Sequence, residues 1–300
     1  MIVVVGSANM DMVLRVQQLP RPGETVCGRG FETLPGGKGA NQAVAAARLG
    51  AEVHFVGCVG SDVFGTQMRA TLQAEGVTVD HLVTVSGPSG IAIVLVDDAS
   101  GQNSIAIEAG ANAALTTSHV DAAADTIAAA SMLVCQLESP LAAVQRAIGI
   151  AHAAGVPVLL NPAPVQPLSP ELLQQVSLLV PNESEAAALA GQAPGEPVDE
   201  VLVAERLRQL GAGTVIVTLG ERGVYVSTTG GAMRHEAQPV ARVVDTTGAG
   251  DTFIGALAAA RCRDGLSLHD AVAFAQRAAA FSVSRRGAMS AMPHREELVE

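Results

Sequence analysis

The residues of this chain best placed to do chemistry lie near its C-terminus. They are Asp245-Thr246-Thr247-Gly248-Ala249-Gly250-Asp251, followed by an alanine-rich helical stretch. A helix start carries unpaired backbone N–H groups and a partial positive charge, so it attracts phosphate. The small residues Gly248, Ala249 and Gly250 let an anion approach the backbone closely, and Asp251 behind them supplies a proton acceptor. That pairing suits phosphoryl transfer to an alcohol. The segment alone fits plain helix capping equally well, since Asp is a common cap.

Further candidates stand at strand ends and helix starts, where open α/β sheets bind ligands. Asn9 and Asp11 follow the first apolar run and could bond several sugar hydroxyls, or form an Asx turn. Gly37-Lys38-Gly39-Ala40-Asn41 opens a helix whose small residues admit a polyol, with Asn41 as a bidentate partner. Glu138, before Pro140, could contact substrate or cap the next helix. Asn182 and Glu185 place a carboxylate where the water shell of Mg²⁺ could sit, but Asn followed three residues on by Glu is also a capping pattern. Thr218-Leu219-Gly220-Glu221-Arg222-Gly223 bends through glycines and could carry nucleotide phosphates or be a plain turn. Rival signatures fail. Gly39 stands where a P-loop needs Ser or Thr, and the turn after the first strand lacks the second glycine of the dinucleotide fingerprint. Neither a Gly-x-Ser-x-Gly elbow nor a His-Glu-x-x-His pair occurs.

These groups need a frame, and the chain supplies one by alternating short apolar strands with alanine-rich helices. That rhythm predicts an α/β fold with a mostly parallel, buried sheet. Strands are expected at 2–5, 53–59, 132–136, 156–160, 178–180 and 215–219. Helices are expected at 39–49, 64–75, 117–130, 141–153, 183–190, 201–210, 251–261 and 268–285. Two segments break the rhythm: 11–34, rich in Pro and Gly, and 91–108, alternating around the turn Asp97-Asp98-Ala99-Ser100-Gly101. They read as antiparallel strands of a small sheet, usable as a lid or a dimer surface. The whole reads as one domain, 1–300, with these as its lid segments.

Composition narrows the partners. Of 300 residues 49% are hydrophobic, enough for a large core, while Trp is absent and Tyr occurs once, which disfavours base-stacking platforms. Eighteen basic against 29 acidic residues give a net charge of −11 without a basic run, so neither nucleic acid nor an anionic membrane is expected. Cys27, Cys58, Cys135 and Cys262 lie far apart, as free thiols of a cytoplasmic protein would.

Taken in order, Gly6-Ser7-Ala8-Asn9-Met10-Asp11, Pro22-Gly23-Glu24-Thr25, Gly36-Gly37-Lys38-Gly39-Ala40-Asn41-Gln42-Ala43, Gly110-Ala111-Asn112, Gln136-Leu137-Glu138, Asn161-Pro162-Ala163-Pro164, Pro181-Asn182-Glu183-Ser184-Glu185 and the closing Gly-Ala-Gly-Asp resemble the ribokinase-type carbohydrate kinases across nearly the whole chain. The resemblance implies a mostly parallel central sheet flanked by helices, with a small β lid that also clasps a homodimer. It implies ATP-dependent phosphorylation of ribose at its 5-hydroxyl, or of deoxyribose, another pentose or hexose, or a nucleoside. A catalytically silent sugar-binding protein on the same scaffold is the distant alternative. By the same likeness Asp251 is the general base and Gly248, Ala249 and Gly250 form the anion hole. Asn9, Asp11, Gly37, Lys38, Gly39, Ala40, Asn41, Glu138 and Asp251 would bind sugar. Asn182, Thr218, Leu219, Gly220, Glu221, Arg222, Gly223, Gly250 and Asp251 would bind ATP, with Gln276 near the adenine. Glu185 would organise Mg²⁺ through water. A K⁺ site is implied at Asp245, Thr247, Ser282, Arg285, Gly287 and Ala291, the last standing where a serine ligand is common.

Overall fold

Alternation inside the first apolar run explains how the sheet is buried. In strand β1 (Ile2–Val5), Ile2 and Val4 join one hydrophobic core while Val3 and Val5 join a second. A strand covered on both faces needs a continuous apolar run, the pattern of a parallel sheet between helix layers. The computed structural model describes residues 1–99, 102–193 and 195–298.

After β1 the chain forms β2 (Asn9–Val16), β3 (Gly28–Gly36), α1 (Lys38–Arg48), β4 (Val53–Gly60), α2 (Val63–Ala74), β5 (Val77–Val85), β6 (Gly90–Asp97) and β7 (Asn103–Glu108). Then come α3 (Thr117–Asp121), α4 (Ala124–Ala128), β8 (Met132–Cys135), α5 (Leu141–Ala153), β9 (Val158–Leu160), α6 (Pro170–Leu173), β10 (Leu178–Leu179), α7 (Glu183–Leu189) and α8 (Glu200–Gln209). The last elements are β11 (Thr214–Thr218), β12 (Val224–Thr228), β13 (Gly231–His235), α9 (Ala249–Cys262) and α10 (Leu268–Ser282). The main sheet has the order β13-β12-β11-β10-β9-β8-β1-β4-β5, parallel from β11 to β5 and antiparallel at β12 and β13. One core packs α1, α2, α9 and α10 on one face, and the other packs α3 to α8 on the opposite face.

The small sheet has the order β3-β2-β6-β7. Its two hairpins are antiparallel, as expected, but β2 and β6 pair in parallel from Asn9↔Gly90 to Val16↔Asp97. Each of these strands continues from a strand of the main sheet, β1 or β5, that already points the same way, so they inherit a common direction. Asn9 and Asp11 therefore lie within β2 and not in a turn after β1. Of the turn expected at 97–101, Ser100 and Gly101 lie outside the described residues. Elsewhere the expected 117–130 helix divides into α3 and α4 without a Gly or Pro to mark the break. The strands β5, β12 and β13 were not foreseen. β5 is an edge strand whose pairing with β4 shifts register between His54 and Val56, and β13 is exposed over four of its five residues, so neither presents a steady apolar period.

Candidate active site

Helix α9 begins at Ala249 behind Gly248, a left-handed residue with φ 74° and no side-chain cap. A Cβ on Gly248 would sit 3.0 Å from Ala288 Cα, so both conformation and space call for glycine there. Asp251, third in the helix and buried, turns toward α1: its Oδ2 accepts from Asn41 Nδ2 and its Oδ1 from Gln42 Nε2, both at 2.9 Å. Gly255 makes that reach possible. A Cβ on it would lie 2.5 Å from Ala45 Cβ and 2.6 Å from Gln42 O, so only glycine lets α9 lie this close to α1. Asp251 is thus held by the neighbouring helix and is not its own helix's cap.

Two cavities meet beside it. The smaller, about 230 Å³, is lined by Lys38, Asn182, Glu185, Gly248, Gly250 and Asp251 among others. The larger, about 780 Å³, runs between β11, the 237–243 loop and α10. Thr218 and Gly250 line both, and a Cβ on Gly250 would meet nothing within 4 Å. The uncapped start of α9 therefore opens where the cavities join, which is where a phosphoryl group would have to pass.

The candidate sugar ligands gather on the small-sheet side of Asp251. Asn9 Oδ1 accepts from Asn112 Nδ2 at 2.6 Å, and Asn112 Oδ1 accepts from Ala8 N at 2.9 Å, which fixes the Asn9 amide. Burial, then the nearby Glu138 and Asp251 carboxylates, push Asp11 up to about 7. Lys38 feels the same charges oppositely: burial acts to lower its ammonium, but Asp251, Glu138 and Glu185 outweigh this and raise it. The glycines at 37 and 39 are also required by backbone packing: Cβ atoms there would lie 2.7 Å from Asn9 N and 2.6 Å from Ser7 N, and Ala40 N donates to Ser7 O. One expectation needs correcting here. Glu138 caps α1, not the following α5: its Oε2 accepts from Ser7 Oγ at 2.5 Å and from Lys38 N at 3.0 Å.

Among the nucleotide candidates, Thr218, Gly220, Glu221, Gly223, Gly250 and Gln276 line the larger cleft. Leu219 is buried, and Arg222 turns away to pair with Glu183 at 2.6 Å and Glu200 at 3.5 Å. Gln276 Nε2 donates to Glu236 O at 3.0 Å, tying α10 to the loop after β13. Asn182 and Glu185 form a reciprocal capping box on α7, so the capping pattern is real. Glu185 still faces the small cavity, where burial raises its carboxyl against the pull of the Asn182 N–H and Lys38.

Of the candidate cation ligands, Asp245, Thr247 and Gly287 come together. Asp245 Oδ1 accepts from Thr247 N and Oγ1, and its Oδ2 from Gly287 N. Burial acts to raise this carboxyl, but the Thr247 and Gly287 bonds prevail and hold it below the usual carboxylate value. Ser282 O accepts from Arg285 N at the end of α10, while Ala291 is fully buried and brings no hydroxyl. Among the described residues, no group of three or more His, Cys, Asp and Glu is placed to hold a metal. The four cysteines are free, and no described helix is long and apolar enough to cross a membrane.

Sequence reasoning missed several residues that build the site. Gln42, Gln136, Asn161 and Asn112 sit inside the quoted motifs, yet amides carry no spacing rule that marks them as a network. Ala237, Val240, Val243, Ala279 and Val283 line the cleft, with Val243 60% exposed, and a loop of apolar residues left in the open was the available signal.

The chain belongs to the pfkB family of carbohydrate kinases: the family model matches residues 1–295. A ribokinase of Haemophilus influenzae is 43% identical over 298 residues, covering 99% of this chain and 96% of that protein. The structure of Arabidopsis thaliana ribokinase complexed with ribose and ATP superposes with a TM-score of 0.91 at 35% identity, covering 99% of this chain and 97% of that one. A deoxyribokinase of Salmonella typhi is 37% identical over 305 residues, covering 100% and 97%. The chain is therefore a sugar kinase on the expected fold.

Proposed function

We propose that the chain transfers the γ-phosphoryl group of ATP to the 5-hydroxyl of D-ribose, giving ribose 5-phosphate and ADP. The observation that carries this reading is the position of Asp251, a carboxylate held by two amides where a small polar cavity joins a larger cleft. Asn9, Asp11, Asn41 and Glu138 hold the sugar by its hydroxyls, with Lys38 beside them. Asp251 takes the proton of the attacking hydroxyl as its oxygen bonds to phosphorus and the bond to ADP breaks. The N–H groups at the start of α9 receive the charge of the transferring group. The adenine lies between the 237–243 loop and α10, with Asn182 and the 218–223 turn along the phosphates.

The donor set fits two cations. Glu185 commits Oε2 to its capping box, and its other oxygen would be free to hold a water of Mg²⁺, an ion that would offset the charge of the phosphates. The charged Asp245 beside Thr247 and Gly287 suits K⁺, with Ser282, Arg285 and Gly287 supplying carbonyls and Ala291 at most its backbone oxygen. The small sheet acts as lid and homodimer clasp within one domain, supported by the exposed Phe31, Ile93, Ile105 and Ile107. We place the protein in the cytoplasm.

A coupled ADP assay over a panel of sugars, with and without K⁺, tests the reading. Ribose turns over fastest, and Asp251→Asn lowers turnover by about a thousandfold or more while sugar binding stays near normal. The second reading, deoxyribose as substrate, draws on the deoxyribokinase relative and predicts faster turnover of deoxyribose. ADP release independent of any sugar sinks both. Equal activity in Na⁺, choline and K⁺ buffers removes the potassium site.

A further inference from the structure

Of the two amides that hold the base, one is tied into a longer chain of hydrogen bonds. Gln42 is 1% exposed and makes three hydrogen bonds: Nε2 donates to Asp251 Oδ1 at 2.9 Å and to Asn161 Oδ1 at 3.2 Å, and Oε1 accepts from Gln136 Nε2 at 2.6 Å. Its orientation is anchored at the Asn161 end: Asn161 Nδ2 donates to Val180 O at 2.9 Å, which turns Asn161 Oδ1 toward Gln42. At the other end Gln136 Nε2 donates to Gln42 Oε1, while Gln136 Oε1 is buried without a partner. Inverting the Gln42 amide would set its oxygen against the Asp251 carboxylate and Asn161 Oδ1, and its nitrogen against Gln136 Nε2. Three hydrogen bonds would become three repulsive pairs. The neighbouring Asn41 is held more loosely, for its Nδ2 bonds Asp251 Oδ2 while its buried Oδ1 has no partner.

We infer that Gln42 is a positioning residue that clamps Oδ1 of Asp251, leaving Oδ2 as the oxygen that takes the proton. The inference rests on Asp251 being the base. A sugar hydroxyl arriving at Oδ2 displaces only Asn41, whose free Oδ1 gains a donor from another hydroxyl. Displacing Gln42 instead would break the chain from Gln136 through Asn161 to Val180, so the carboxylate is handed to substrate in one rotation only. The clamp reaches into the sheet, because Gln136 follows β8, Asn161 follows β9 and Val180 follows β10.

The test is Gln42→Met in the full chain, assayed for ADP release with ribose. Met keeps the volume of the side chain and removes the donor. Turnover falls about 10- to 100-fold while the sugar KM stays within about threefold, as a base misplaced without loss of the sugar site requires. Gln136→Leu, which frees the Gln42 amide without removing it, lowers turnover by a smaller factor with the sugar KM again in place, and it decides the matter if Gln42→Met does not fold. Native turnover in Gln42→Met, or lost turnover accompanied by a sugar KM raised in proportion, overturns the clamp and leaves the kinase reading standing. Full activity in Asp251→Asn overturns both.

Discussion

Replacing Gly255 by Ala tests whether the closeness of α1 and α9 sets the geometry of the base. The added Cβ would lie 2.5 Å from Ala45 Cβ, 2.6 Å from Gln42 O and 2.8 Å from Ala46 N. All three are backbone or β-carbon atoms of a helix, so no side chain can rotate aside and the helices must part by about 1 Å. Two stability effects oppose each other. Ala for Gly inside a helix gains about 1 kcal/mol, and overpacking costs about 1–3 kcal/mol, leaving a net loss of about 0–2 kcal/mol. The effect on turnover is larger. A 1 Å separation stretches the bonds from Asn41 and Gln42 to Asp251, now 2.9 Å each, beyond hydrogen-bond range. Misplacement on that scale costs about 100-fold in rate. The expected protein is destabilised by at most about 2 kcal/mol and is about 10- to 100-fold slower, as read by thermal unfolding and the coupled ADP assay. Gly149→Ala in α5 is the control, since its Cβ meets nothing within 4 Å; it gains about 0.5–1 kcal/mol with turnover unchanged. Turnover within twofold of native in Gly255→Ala would refute the geometric argument, because the clash would then have been absorbed without moving Asp251.

Three further outcomes are expected. Asp11 binds its proton more tightly folded than unfolded, so its stabilising contribution is present below about pH 4 and is lost as pH rises to about 7; Asp11→Asn therefore gains stability over native at pH 8, on the order of 1–4 kcal/mol, and little at pH 4, and equal gains in urea unfolding at both would refute the raised value. Gly250→Ala places a methyl in open space, so stability holds while turnover drops about 100-fold through the crowded anion seat, and unchanged turnover would remove Gly250 from that seat. Glu138→Ala takes the acceptor from Ser7 Oγ and Lys38 N and costs about 1 kcal/mol in thermal unfolding, whereas an unchanged midpoint would mean that water replaces the cap.

What the sequence made legible follows from the range of each interaction. Asp251 and its glycines were readable because helix-start chemistry is local: cap, dipole and small residues lie within seven positions. The parallel sheet was readable because burial on both faces leaves continuous apolar runs, as in Ile2–Val5. Glu138 was ambiguous because its partners, Ser7 and Lys38, are 131 and 100 residues away, and no local pattern encodes such a cap. Gly255 was invisible for the same reason, since its need for glycine comes from α1, more than 200 residues earlier. The direction of β2 against β6 also escaped, for hairpin signals describe a strand's next neighbour and not the sheet it grows from.

The same distances explain how an acidic protein can hold a polyanion. Asp11, Glu138, Glu185 and Asp251 crowd the small cavity and its small-sheet side, and Asp11 is raised first by burial and then by the charges of Glu138 and Asp251. Lys38 offsets part of that charge from among them. Among the described residues, the larger cleft is lined mainly by small and apolar side chains, with Glu221 as the one acidic residue, and it shares Gly250 and Thr218 with the small cavity that holds the carboxylates. An anion entering from that side therefore reaches the backbone N–H groups of α9 before it reaches Asp251. A carboxylate is a useful base only if its repulsion of the phosphate is smaller than its attraction for the hydroxyl proton. Clamping Oδ1 onto Gln42 draws part of the charge into a hydrogen bond and keeps Oδ2 turned to the hydroxyl, so the two requirements are met by two different oxygens of one side chain.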